Sequence, residues 1–288
     1  MFGSSEIELD TQMSFYLESL FNRDLHISQG RYVLQGYLFL NPVSGPKSAD
    51  RFTLSRETLL GWQKKQPGQS KWPVPLMVFW GFAETMFKQR SSFGLQIAMC
   101  AILQCDGYLR PSETVKLRWE SVTFARGKWV AIIGDSSRAE LTKTGESDDT
   151  IIFGFADRHW VNRLFSSFHL ALGKPTSGRL FPDITLAKYA KCMADWSQSW
   201  NVGFLKLTPH LIRHSGPSDD VLNKLASLTA VKKRGRWARD ASVRRYEKSG
   251  RLLMQIARLP PAFVAMFSDA HNRIGRAKLT VSALPPPA

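Results

Sequence analysis

CDGYLRPSETVKLRWESV, residues 105–122, is where a helical sequence gives way to strands. Ahead of it, apolar residues recur with helical spacing over 76–89 and again over 92–105. Inside it, Ser112 reads as a helix N-cap, with Val115, Leu117 and Trp119 supplying apolar surface behind. After it come three β signals. SVTFA (121–125) and KWVAII (128–133) are joined by a tight Arg126-Gly127 turn, and TIIFGF (150–155) follows a polar segment. From 157 to about 268 the pattern is helical again. The expected fold is mainly α with a small antiparallel β-sheet, an α+β class.

Working back toward the N-terminus, residues 12–40 read as helical, with apolar Met13, Tyr16, Leu17 and Leu20. A Pro/Gly/Ser-rich loop follows at 41–50, then a short helical piece at 54–63. QKKQPGQSKWPVP (63–75) is polar, basic and broken by three prolines, the composition of a linker. The expected organisation is a short helical domain at 1–62, the linker at 63–75, a main domain at 76–268 and a tail at 269–288. The tail ends ALPPPA and has nothing with which to build a core. No internal repeat is present.

Composition narrows the function classes. Across 288 residues, Lys and Arg number 39 against 24 Asp and Glu, a formal net charge of +15 that favours a polyanionic partner, nucleic acid first. Three cysteines, Cys100, Cys105 and Cys192, are too few for a disulfide framework and suit a reducing compartment. His210 and His214 stand at i,i+4 spacing, but no Glu follows His210 as in a zincin helix, so no metal is expected. MFGSSEIELD carries acids and no apolar segment, unlike a signal peptide. PLMVFWGFA (75–83) is too short to span a bilayer. The expectation is a soluble, intracellular protein with no membrane contact.

Four stretches carry the chemistry. In LTPHLIRH (207–214), Thr208 is a good N-cap and Pro209 suits the first helical position. His210 and Arg213 then share a helical face, where an imidazole and a forked guanidinium can hold one phosphate. By itself this pattern also fits an ordinary helix start. Gly216-Pro217 is expected to break the helix, with Ser218 or Asp219 capping the next. Arg110 lies at a turn between helices, and Lys143 between the second and third β signals; each alone reads equally as a surface cation. In RGRWARDASVRRYEKSG (234–250), Tyr246 sits nine residues after Trp237, and Asp240 is expected to cap a helix over 241–248 that Gly250 ends. Nine basic and two acidic residues occupy 231–251. A phenol of pKa about 10 attacks poorly unless a base or nearby cations favour the phenolate.

Read in order, Arg110, Lys143, His210, Arg213, Trp237 and Tyr246 make the chain resemble the tyrosine recombinases, the phage-integrase-like enzymes. YLRPSE (108–113) is similar to that family's arginine box, TKTG supplies the hairpin lysine, and His210 and Arg213 form its HxxR box. Trp237 stands where the family has His or Trp, nine residues before the tyrosine. The resemblance covers about 76–265, and the preceding helices resemble a shortened core-binding domain. The LRPSE box, the proline-marked linker and the GRW form resemble the recombinases of mobile elements of the crypton sort.

The resemblance implies DNA cleavage and rejoining through a 3′-phosphotyrosyl bond on Tyr246, on double-stranded DNA, by a homotetramer, without metal or cofactor. It implies that Arg110 and Arg213 clamp the phosphate, His210 assists proton movement, Trp237 donates to a phosphate oxygen, and Lys143 protonates the departing 5′ oxygen. It places the protein with DNA, in the nucleus if the host is eukaryotic. Three other readings stand beside it: a relative that has lost catalysis and only binds DNA, a type IB topoisomerase, and an unrelated basic helical protein.

Overall fold

The structure, a computed structural model, describes residues 3–42, 51–67, 72–138, 148–247 and 249–277. The chain divides into two compact units, Met1–Lys71 and Trp72–Ala288.

The first unit holds α1 (Gly3–Asn22), α2 (Ile27–Leu40) and α3 (Thr53–Lys65). The helical span expected over 12–40 is two helices, because Asp24 takes a left-handed backbone (φ 54°) and His26 caps the second, its Nδ1 accepting from the Ser28 N–H. Leu17, Leu20, Ile27 and Trp62 form a small core. Gly30 is needed there: a Cβ would lie 2.7 Å from the Trp62 ring. The start of α3 is capped from another helix. Asp10 accepts from the N–H groups of Leu54 and Ser55, both at 2.9 Å, satisfying two donors that the helix cannot. α3 runs to Lys65, past the residue at which the linker is expected to begin.

The second unit begins with α4 (Leu76–Lys88) and α5 (Ser92–Gly107). α5 is apolar on nearly every side and almost wholly buried, so it is the central helix rather than a surface one. α6 (Pro111–Lys116) leads into a three-stranded sheet: β1 (Val122–Ala125), β2 (Lys128–Ile133) and β3 (Asp149–Ile152). The order is β1-β2-β3, all antiparallel, with Val122 opposite Ala131 and Val130 opposite Ile152. Arg126 and Gly127 both have positive φ, 50° and 76°, the geometry of a two-residue hairpin turn.

Then come α7 (Trp160–Ala171), α8 (Leu186–Ser199), α9 (Pro209–Leu222), α10 (Leu228–Gly235), α11 (Asp240–Val243), α12 (Ser249–Ala257), α13 (Pro261–Phe267) and α14 (Ala270–Arg276). The molecule is thus mainly helical with one small antiparallel sheet. No helix among the described residues is long and apolar enough to cross a membrane.

Four local expectations are corrected. Arg110, not Ser112, is the N-cap of α6, because Pro111 takes the first helical position for which its fixed φ suits it. α9 does not break at Gly216-Pro217. It runs through to Leu222, with Gly216 buried against Tyr108, where a Cβ would meet the ring at 3.1 Å. Glycine also relaxes the restriction that proline places on the residue before it. Gly250 does not end a helix over 241–248. α11 passes into a 3₁₀ turn at Arg244–Glu247, and Gly250 lies in the first turn of α12. Finally, residues 270–276 are not tail but helix α14, fixed by Arg273 donating to Glu84 at 2.8 and 2.7 Å and by the Trp160 indole donating to His271 at 3.1 Å.

Candidate functional site

The end of α5 sets the site. Tyr108, fully buried, takes a left-handed backbone (φ 48°) that stops the helix and turns the chain into α6. Arg110 follows in extended conformation. Its backbone N–H donates to Glu113 Oε2 at 2.7 Å and its Nη1 to Oε1 at 2.6 Å. Glu113 is therefore the anchor of Arg110.

α9 brings the second arginine. Its start is held by Gln104 of α5, whose amide donates to the Pro209 carbonyl at 2.7 Å. Thr208 occupies the N-cap position as expected, but its hydroxyl makes no capping bond and is buried without a hydrogen-bond partner among the described residues. Arg213 is only 3% exposed. It donates to the carbonyls of Tyr108 (2.5 Å) and Gly235 (2.6 Å), so it ties the end of α5 to the end of α10. Burial first, then Arg110 and Arg236 nearby, push its guanidinium down to about 10 against the pull of Glu113.

The Arg213 guanidinium lies over the Trp237 ring, 5.0 Å from its centre. Gly235 makes room for that ring: a Cβ there would fall 1.8 Å from it. Trp237 in turn packs on Tyr246, ring centres 5.1 Å apart. Tyr246 is 2% exposed and sits in a cluster with Tyr108, Val231 and Val243. Its hydroxyl lies 2.8 Å from His214 Nδ1. The His214 ring is 4.9 Å from that of His210, which is exposed one turn earlier on the same helix.

Five residues singled out in the sequence, Arg110, His210, Arg213, Trp237 and Tyr246, thus belong to one linked set of contacts. Lys143 lies outside the described residues. Three members are not legible as site residues in the sequence. His214 reads only as the second half of a His pair, although its adjacency to Arg213 and its spacing from His210 put it at the same helix end. Glu113 reads only as part of the arginine box. Arg236 lies within a basic run.

Glu113 is the electrostatic centre. Arg110 and Arg236 each donate to it, Arg236 Nη2 at 2.5 Å, and Arg213 Nη1 lies 3.8 Å away. Burial works to raise its carboxyl, but Arg236, then Arg110 and Arg213, outweigh this and hold it below the usual carboxylate range.

A second, deeper network supports the first. Arg158, 1% exposed, donates to both oxygens of Asp220 at 2.8 and 2.7 Å and to Asp106 at 3.3 Å. Asp106 also accepts from the N–H groups of Gly154 and Phe155 and from Arg234, whose guanidinium lies 4.3 Å from the centre of the Phe155 ring. The Tyr108 hydroxyl donates to Asp220. Two charges of α9, Arg213 and Asp220, are thereby fixed against Tyr108.

Chemically, the set offers a buried phenol against an imidazole, with guanidiniums within one or two contacts. That combination can bind an oxyanion and support nucleophilic attack by the phenol oxygen. No group of side chains suited to a metal ion occurs among the described residues.

No protein-family model matches the sequence, and no curated protein matches it. Solved structures do match, two of them complexes of one recombinase. One is the XerH site-specific recombinase bound to difH substrate, a pre-cleavage complex, with a TM-score of 0.44 at 13% identity over 74% of this chain and 65% of that one. The other is XerH bound to palindromic difH substrate, a post-cleavage complex, with a TM-score of 0.49 at 16% identity over 88% and 71%. This chain covers less than two-thirds of the first of them. At these identities no residue's role transfers from one chain to the other.

Proposed function

We propose that this chain cleaves and rejoins DNA strands with Tyr246 as the nucleophile. One observation supports the reading most: the Tyr246 ring, the Trp237 ring and the Arg213 guanidinium are in successive contact, and the Tyr246 hydroxyl meets His214, although these residues come from three separate stretches of the chain. In this reading the Tyr246 oxygen attacks a backbone phosphorus. The bond from phosphorus to the 5′ oxygen breaks as the bond to the phenol oxygen forms. The phenol proton passes to an imidazole of the site, and the leaving 5′ oxygen takes a proton from Lys143, a role that rests on the sequence alone. Arg110 and Arg213 neutralise the non-bridging oxygens. Trp237, whose indole N–H can only donate, binds oxygen and does not act as a base. The ester on Tyr246 conserves the phosphodiester's energy, so reversal needs no ATP.

In the same reading the chain works as a homotetramer on paired sites in double-stranded DNA, as the recombinase or integrase of a mobile element. It acts inside the cell, in the nucleus where the host is eukaryotic.

A second reading is a DNA-binding relative that no longer cuts. It is favoured by the burial of Tyr246 and by Arg213 spending both Nη groups on backbone carbonyls. The break expected in α9, which would have favoured it too, is absent. The two readings separate in one assay. The full chain is incubated with a suicide duplex library of randomised sequence and run on a denaturing gel. The first reading expects a covalent protein–DNA band that Tyr246→Phe abolishes. Salt-sensitive DNA binding with no such band, in wild type and variant alike, overturns it in favour of the second.

A further inference from the structure

Arg236 differs from the other arginines of the site. α10 ends at Gly235, and Arg236 takes a left-handed backbone (φ 54°) that returns its side chain to the α5–α6 turn. That side chain is 6% exposed. Nη2 donates to Glu113, but Nη1 and Nε are buried and find no acceptor among the described residues. The carboxylate nearest Nε, that of Asp149, stands 3.9 Å off, beyond hydrogen-bond length. A buried donor without an acceptor costs about 1–3 kcal/mol, and more when charged. Native proteins rarely keep two such donors on one side chain unless something else fills them.

The surroundings say what would fill them. Arg110, Arg213 and Arg236 bring three positive charges to Glu113 and Asp149, which carry two negative ones. The balance is one positive charge, in a cluster whose Arg213, Arg236 and Glu113 are buried, beside an orphaned guanidinium edge. A neutral acceptor would leave that charge unanswered, and a metal cation would be repelled. A tetrahedral oxyanion answers both, because one oxygen can accept from Nη1 while others face the neighbouring guanidiniums.

We propose that Arg236 is an oxyanion-binding residue, a third guanidinium for the phosphate that Arg110 and Arg213 hold in the reading above. The identity of the anion as a DNA phosphate rests on that reading; the anion site itself does not. Asp149 acts as its counterweight: its carboxylate stands near Arg236 in the empty site and so weakens anion binding.

Tungstate at pH 8, a tetrahedral dianion, is the probe, titrated into the full chain by calorimetry. The wild type is expected to bind it, and Arg236→Gln to bind it about 10- to 100-fold more weakly, the size of one charge-assisted hydrogen bond. Asp149→Asn is expected to bind it more tightly, and this variant decides the matter if Arg236→Gln fails to give the wild-type circular dichroism spectrum. No binding by the wild type, equal binding by Arg236→Gln, or weaker or unchanged binding by Asp149→Asn overturns the inference. Tungstate binding that needs Arg236, in a chain that forms no adduct on Tyr246, leaves the anion site standing and sinks the recombinase reading alone. A Tyr246 adduct that forms at the wild-type rate in Arg236→Gln overturns Arg236's place at the scissile phosphate and leaves the recombinase reading standing.

Discussion

His214 Nδ1 and the Tyr246 hydroxyl lie 2.8 Å apart, joining α9 to the 3₁₀ turn that follows α11. The contact holds a buried phenol against a group that can either accept its proton or donate to its oxygen.

Replacing His214 is therefore expected to act on both stability and chemistry. His214→Ala removes one hydrogen bond of the buried Tyr246 hydroxyl, a loss of about 0.5–1.5 kcal/mol in urea denaturation. If the imidazole takes the phenol proton, adduct formation on the suicide library falls about 100-fold or more. A variant that loses stability while keeping the wild-type adduct rate would mark His214 as a purely structural partner.

Tyr246→Phe keeps the ring against Trp237 and removes only the hydroxyl. The expected result is a folded protein about 1 kcal/mol less stable. Its DNA binding is expected to weaken with salt as the wild type's does, with no covalent adduct. Titration of labelled duplex at two salt concentrations, beside the denaturing gel, checks the three together.

Asp220→Ala is expected to be among the most damaging single changes. It leaves the Arg158 guanidinium, 1% exposed, with its bidentate partner gone and the Tyr108 hydroxyl without its acceptor. Breaking a buried pair from one side costs about 3–5 kcal/mol. Removing both charges, as in Asp220→Leu with Arg158→Met, is expected to recover part of the loss in thermal melts. A double variant no better than the single one would refute this account.

Asp219 makes stability depend on pH. Burial first, then the neighbouring Asp220, push its carboxyl up to about 6, against the bond from Asn223 and the pull of Arg158. In the unfolded chain it titrates near 4. The folded state therefore holds this proton more tightly. The group's contribution is fully present below about pH 4 and is lost as pH rises through 6. Asp219→Asn, which can still accept from Asn223, is expected to be more stable than wild type at pH 7.5 by about 1–3 kcal/mol, an advantage that shrinks toward pH 4. Urea curves at the two pH values measure the difference.

Gly235→Ala tests the packing that seats Trp237. A methyl group would fall 1.8 Å from the indole, so the ring must leave its place against Arg213 and Tyr246. The adduct rate is expected to fall about 100-fold, as for a displacement of roughly 1 Å at a reacting centre. An unchanged rate would show that the Trp237 seat does not matter to the chemistry.

The sequence alone carried what is periodic or local. Apolar spacing showed the helices and the short strands, so the mainly helical class with one small antiparallel sheet was legible. So were Pro209 at a helix start, the Arg126-Gly127 turn, and the residue types in order from Arg110 to Tyr246. What depends on a distant surface was not legible. Whether Gly216-Pro217 breaks α9 is decided by Tyr108, against which the glycine packs, and by Arg158, which needs Asp220 further along the same helix. Whether 270–276 is tail or helix is decided by Glu84, some 190 positions away, through Arg273. That His214 touches the phenol depends on where the turn after α11 lands on α9. Local propensities differ by about 1 kcal/mol per residue, whereas buried charge pairs and packed aromatic rings differ by several, so tertiary contacts win where the two disagree.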